Sequence, residues 1–217
     1  MSAGGDQAPE VIVHSTLVYR AGRGLTRWVW RLLFRPRLEG RQNLPATGAG
    51  LLCANHQSFL DIPLVAHLTA RHVCFVARDS LARSRLLAWI MHHSGAVLVR
   101  RGQADRAALR EMVAHLERGD LVAVFPEGTR SPDGSLGTLH AGALLAARQA
   151  GVPIYPVGIR GAFEAWPRER RLPRRRRIAV RVGAPIDPAV PDALERLRDS
   201  LAALVGAGRF DSLPPLP

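Results

Sequence analysis

The stretch Asn55-His56-Gln57-Ser58-Phe59-Leu60-Asp61 holds a histidine and a carboxylate five positions apart. Such a pair can move a proton. The carboxylate accepts a hydrogen bond from one imidazole nitrogen, fixes the tautomer and stabilises the imidazolium, and the other nitrogen is left to take a proton. On an ideal helix five residues turn through about 500°, which would leave the two side chains about 140° apart. They can meet only if His56 lies in a turn ahead of a helix and Asp61 folds back toward it. The flanks predict that arrangement. Leu51-Leu52-Cys53-Ala54 reads as a short buried strand, and Ile62-Pro63-Leu64-Val65-Ala66-His67-Leu68 as a helix. A purely local reading stays open beside it. Ser58 and Asp61 match a Ser-x-x-Asp capping box and Pro63 suits a first helical turn, so Asp61 could be a cap and His56 a polar loop residue.

A second chemical turn follows the apolar run Leu121-Val122-Ala123-Val124-Phe125. In Phe125-Pro126-Glu127-Gly128-Thr129-Arg130-Ser131 a proline ends the strand. It is followed by a carboxylate, a glycine that lets backbone approach a ligand, a hydroxyl, and an arginine able to grip phosphate through two parallel hydrogen bonds. The local alternative is a polar turn leading into Ser131-Pro132-Asp133-Gly134.

The elements that must hold these turns are read from periodicity. Strands are predicted at 51–54, 73–77, 96–99, 121–125, 153–159 and 178–182. Helices are predicted at 62–68, 81–93, 104–118, 141–150 and 191–205. This alternation predicts an α/β fold with a mixed, largely parallel sheet flanked by helices. Ahead of it, residues 11–38 mix aliphatic and tryptophan side chains with Arg20, Arg23, Arg27 and Arg31, which recur at three- and four-residue steps. That pattern predicts an amphipathic helix suited to a membrane interface, or one packed on the domain with a solvated arginine face. The expected division is a tail and amphipathic membrane-associating helix at 1–40, one domain at 41–210 and a loose proline-rich tail at 211–217.

The formal net charge is +12, and all 30 basic residues are arginine. The lack of lysine excludes a Walker A phosphate loop and lysine Schiff-base chemistry. The excess of arginine favours a polyanionic partner. Nucleic acid is not expected, because the arginine-dense stretch 168–181 lacks interleaved aromatics for stacking on bases. Cys53 and Cys74 sit in separate apolar runs and read as reduced core thiols, which suits a cytoplasmic setting. Neither a signal peptide nor a spanning helix is expected. No metal motif such as His-Glu-x-x-His occurs. Most histidines read as surface or packing residues.

Together the two turns resemble the glycerophospholipid acyltransferase family, typified by 1-acylglycerol-3-phosphate acyltransferases. The family's first block, Asn-His-x-x-x-x-Asp, is present as Asn55, His56 and Asp61. Its third, Phe-Pro-Glu-Gly-Thr-Arg-Ser, stands unchanged at 125–131. A second block resembles Gly95-Ala96-Val97-Leu98-Val99-Arg100-Arg101, and a fourth resembles Val152-Pro153-Ile154-Tyr155-Pro156-Val157. The four lie in family order across 51–161. Two departures bear on the acceptor. Arg100 replaces a usual Asp, and Leu139-His140-Ala141-Gly142 replaces a frequent Phe-Lys-x-Gly.

The resemblance implies transfer of a fatty acyl group from a thioester, acyl-CoA or acyl carrier protein, to the free hydroxyl of 1-acyl-sn-glycerol-3-phosphate. Another lysolipid, such as a lyso-ornithine lipid, is the alternative acceptor. It implies His56 as general base and Asp61 as its orienting partner. Arg101, Glu127, Gly128, Thr129 and Arg130 would hold the glycerol phosphate, Glu127 by orienting an arginine or a glycerol hydroxyl because a carboxylate repels phosphate, with Asn55 and Ser58 also at the substrate. No cofactor or metal is implied. The expected place is peripheral, on the anionic cytoplasmic face of the membrane. The absence of a Gly-x-Ser-x-Gly elbow agrees with direct transfer, without a serine acyl-enzyme.

Overall fold

Leu51, Leu52, Cys53 and Ala54 are all buried, which a strand achieves only in a sheet covered on both faces. The computed structural model describes residues 17–34, 36–78, 96–99 and 106–206 and shows such a sheet. Its strands are β1 (Arg37–Glu39), β2 (Gly50–Ala54), β3 (Val73–Arg78), β4 (Val97–Val99), β5 (Leu121–Val124), β6 (Ile154–Arg160) and β7 (Ala179–Val182). The described helices are α1 (Leu17–Leu33), α2 (Asp61–Ala66), α3 (Arg106–Glu117), α4 (Gly142–Ala150), the short α5 (Ala162–Ala165) and α6 (Ala193–Gly206). The predicted helix at 81–93 and the two expected tails lie outside the described residues.

The strands order as β1-β7-β6-β2-β5-β3-β4. Among the described strand pairs only β6–β7 is antiparallel, so β1 and β7 run opposite to the other five. Side chains alternate across β2. Leu52 and Ala54 join Trp30, Leu64 and Val65 on one face, while Leu51 and Cys53 join Met112, Leu144 and Leu197 on the other. This is the α/β/α layering expected of an α/β alternation, with two cores separated by the sheet. On the second face the backbone of α6 crosses β6 so closely at Gly158 that a Cβ there would strike Leu204.

Two elements escape sequence periodicity. β1 is three residues long and exists by pairing with β7, with Arg37 opposite Ala179. α5 is a single turn begun at Gly161, whose φ of 83° suits glycine.

α1 corrects one sequence expectation. Arg23 does not join exposed Arg20 and Arg27 on the outward face. Arg23 turns inward, and its guanidinium donates to the carbonyls of Ala70 and Arg71. Trp30 is buried, stacks on the His67 ring at 5.4 Å, and packs with Phe34. The outward face carries exposed Leu17, Leu25 and Trp28 beside exposed Arg20 and Arg27. No described helix is long and apolar enough to cross a membrane.

Candidate active site

β2 and β5 are parallel neighbours in register, with Cys53 opposite Val124. Their carboxyl ends therefore emerge side by side and deliver the two chemical turns to one place, the usual ligand end of such sheets. The turns are then joined through the backbone of His56. Its N–H donates to Glu127 Oε1 at 2.8 Å, and its carbonyl accepts from the N–H of Ser131 at 2.8 Å.

Asp61 is fully buried. Its Oδ2 accepts three hydrogen bonds, from His56 Nδ1 at 2.9 Å, the Gln57 N–H at 2.6 Å and the Ser58 N–H at 2.7 Å. The bonds to the Gln57 and Ser58 N–H groups close the turn ahead of α2, whose N-cap residue is Leu60. The carboxylate thus closes that turn and holds the imidazole at once. In the neutral imidazole, the tautomer that donates from Nδ1 to the Asp61 carboxylate leaves a lone pair on Nε2. Among the described residues nothing bonds Nε2. The imidazole is stacked on Phe125, with centroids 4.1 Å apart and planes 20° apart, and is 17 % exposed.

The sequence reading has Glu127 orient an arginine or a glycerol hydroxyl. Its side chain is instead buried between backbone donors: Oε1 takes the His56 N–H and Oε2 takes the Gly137 N–H at 3.0 Å. Burial pushes its carboxyl above the usual range, and these two N–H groups oppose that rise. Asn55 likewise meets backbone. Its Oδ1 accepts from the Ile159 N–H at 2.6 Å and its Nδ2 donates to the Ile159 carbonyl at 2.9 Å. Ser58 is buried, donates its hydroxyl to the Trp166 carbonyl at 2.7 Å, and accepts from the Leu60 N–H. The structure thus brings Asn55, Ser58 and Glu127 to the site as braces of its backbone.

The brace at Asn55 has a measurable consequence. Asn55→Ala strands a buried N–H and a buried carbonyl at Ile159, each costing about 1–3 kcal/mol. Urea unfolding is expected to show a loss of roughly 2–5 kcal/mol. A loss below about 1 kcal/mol would return Asn55 to the substrate contacts expected from sequence.

Arg130 is the cation of the second turn. Gly128 N–H closes the turn on the Phe125 carbonyl at 2.9 Å, with Pro126 second in the turn and Gly128 at φ 64°. Gly128 and Thr129 are exposed. The Arg130 Cζ lies 3.7 Å from the centroid of the Phe59 ring, a cation–π contact. Its Nη1 is buried with no hydrogen-bond partner among the described residues, as is Asp61 Oδ1. Burial lowers the Arg130 pKa first, and the nearby positive charge of Arg168 lowers it further. Phe59 also packs on Trp166, with centroids 5.6 Å apart. Sequence reasoning missed Gln57, Phe59 and Trp166. Gln57 binds Asp61 through its N–H, and its Nε2 donates to the Gly134 carbonyl at 2.6 Å. Nothing in their types or spacing marks these residues, because their partners come from distant loops.

Arg100 and Arg101 lie outside the described residues. Among the described residues, no three His, Cys, Asp or Glu side chains gather as a metal would require. The other His-Asp pair, His115 and Asp120 at 2.8 Å, ties the end of α3 to the turn before β5. That is the opposite end of the sheet from His56.

The acyltransferase family model matches residues 35–160, which include both turns. A 1-acyl-sn-glycerol-3-phosphate acyltransferase of Arabidopsis thaliana chloroplasts is 32 % identical over 139 residues, covering 62 % of this chain and 38 % of that protein. A lyso-ornithine lipid O-acyltransferase of Pseudomonas aeruginosa is 34 % identical over 139 residues, covering 62 % and 53 %. The chain thus spans roughly two fifths to a half of the length of these relatives. The crystal structure of the 1-acyl-sn-glycerophosphate acyltransferase of Thermotoga maritima superposes with a TM-score of 0.71 at 29 % identity, covering 83 % of this chain and 74 % of that one. With the shared fold and the His56–Asp61 and Arg130 turns inside the matched stretch, the chain belongs to the glycerophospholipid acyltransferase family.

Proposed function

We propose that this chain transfers a fatty acyl group from a thioester, acyl-CoA or acyl carrier protein, to the free hydroxyl of 1-acyl-sn-glycerol-3-phosphate, making phosphatidic acid. The observation that supports it most is the combination of one imidazole held by a buried carboxylate and one arginine with a buried, unpartnered Nη1. One supplies a base and the other a positive charge for a phosphate.

In this reading His56 Nε2 takes the hydroxyl proton as the oxygen attacks the thioester carbonyl. Asp61 stabilises the imidazolium. The tetrahedral intermediate collapses, the C–S bond breaks, and the imidazolium returns the proton to the leaving thiolate. The step needs no cofactor beyond the acyl donor. Arg130, with Thr129 and Gly128 beside it, receives the phosphate, and Arg101 is proposed as a further cation. Asn55, Ser58 and Glu127 serve by holding backbone. The Pseudomonas relative favours a second reading in which a lyso-ornithine lipid is the acceptor.

The proposed setting is the anionic cytoplasmic face of a membrane, met peripherally. The outward Leu17, Leu25 and Trp28 of α1 beside Arg20 and Arg27 support it. So does the segment 168–177, where Leu172 is exposed among arginines, each worth about 1 kcal/mol near an anionic surface. The two buried free thiols, Cys53 and Cys74, suit a reducing compartment.

Labelled acyl-CoA and acyl carrier protein offered with lysophosphatidic acid in anionic vesicles test the reading. Formation of labelled phosphatidic acid, with the protein floating with those vesicles at low salt, is expected. Product from lyso-ornithine lipid alone would replace the acceptor. Turnover without flotation would remove the membrane surface.

A further inference from the structure

We propose that Phe125 is a positioning residue for His56: its ring fixes the plane of the imidazole, and its face steadies the positive charge that the imidazole takes up. The inference rests on the acyl-transfer reading above and adds a residue behind its base. Phe125 directly follows β5, and it packs against the core that holds Trp30, Leu52 and Tyr155. Its carbonyl accepts from the Gly128 N–H at 2.9 Å, and the carbonyl of the next residue, Pro126, accepts from the His140 N–H at 2.9 Å. Core packing and the closed turn therefore hold the phenyl ring in place. The imidazole of His56 lies on that ring, with centroids 4.1 Å apart and planes 20° apart.

The stack supplies what the Asp61 bond does not. A single hydrogen bond at Nδ1, 2.9 Å long, pins one ring atom and lets the ring swing about it. The backbone bonds of His56 to Glu127 and Ser131 do not set the ring plane either, because the last torsion of a histidine side chain is broad. A flat contact removes that swing and so aims Nε2. The contact is also electrostatic. An aromatic face carries partial negative charge and attracts a cation placed over it. The imidazolium gains more from this than the neutral imidazole, so the stack favours the state formed as the hydroxyl proton arrives. Among the described residues, the titratable groups bonded to His56 are the Asp61 carboxyl at Nδ1 and the Glu127 carboxyl at the backbone N–H. Neither is touched by a change confined to the Phe125 ring.

The test compares the full chain with Phe125→Leu and with a series in which the Phe125 ring is fluorinated in steps. Phe125→Leu keeps an apolar side chain and removes the ring. Fluorination keeps the shape and drains negative charge from the face. Phe125→Leu is expected to lower kcat by about 3–30-fold with KM little changed, the range spanned by a cation–π contact. Along the fluorinated series kcat should fall step by step while the melting temperature stays level. The titration of His56, followed by NMR, should move to lower pH along the same series, because a weaker face stabilises the imidazolium less. A kcat that stays level across the series, losses that only track the melting temperature, or a titration midpoint that stays fixed would overturn the assignment. If the intact chain acylates no lysolipid, the reaction falls, and the His56 titration still decides the role of the stack. If the chain turns over and neither kcat nor the titration responds to fluorination, the positioning role falls and the reaction stands.

Discussion

His56→Ala is expected to lower kcat for acyl transfer by about 10²–10⁴-fold, the usual contribution of a positioned general base. The fold should survive the change. The bonds that join the two chemical turns at this position use the His56 N–H and carbonyl, not its ring. Asp61 Oδ2 keeps its Gln57 and Ser58 N–H donors when the imidazole is removed. What is lost is the stack on Phe125, worth roughly 0.5–1.5 kcal/mol beyond area burial. Parallel thermal melts and initial rates would show a small drop in stability beside a near-complete loss of turnover. Retention of more than about a tenth of wild-type kcat would remove His56 from the proton transfer.

Asp61→Asn should lower kcat by about 10²-fold or more while the turn stays closed. Three donors converge on Oδ2, so the Asn side chain must place its carbonyl oxygen there and its amide nitrogen at the Oδ1 position. The tautomer of His56 is then kept, and the negative charge that stabilises the imidazolium is lost. The new NH2 is buried where Oδ1 finds no partner among the described residues, which costs about 1–3 kcal/mol and is offset by no longer burying a carboxylate. Asp61→Ala differs, because it also strands the Gln57 and Ser58 N–H groups, and it should be less stable than Asp61→Asn by about 2–4 kcal/mol. The pair of variants separates the two roles proposed for one oxygen. A side chain serving only as a cap would let Asp61→Asn keep near-full activity and would show its importance only in the unfolding of Asp61→Ala.

Both effects depend on residues that the sequence already marked. His56, Asp61 and Arg130 stand in turns that follow apolar runs, and a run of four or five buried residues can be little else than a strand in a covered sheet. Periodicity likewise located α3, α4 and α6, because each buries one face at helical spacing, as Ala193, Leu197 and Leu201 do on α6. Local chemistry was also legible, including Gly151 ending α4 at φ 64°. The sequence alone therefore determined the α/β alternation and the two turns that carry His56, Asp61 and Arg130.

Tertiary structure decided which polar side chains hold backbone. Asn55 and Glu127 look like site residues by type and position, but Ile159 lies 104 positions from Asn55, and the His56 N–H lies 71 from Glu127. No local pattern records such a partner. It was also the sheet order that set β5 beside β2 and so placed Arg130 near Asp61. The inward turn of Arg23 and the existence of β1 belong to the same class, because each depends on carbonyls or a strand edge supplied from elsewhere in the chain. Side-chain chemistry and spacing are local properties and can be read along a chain. Pairing partners, and the burial they permit, arise only when distant segments close on one another.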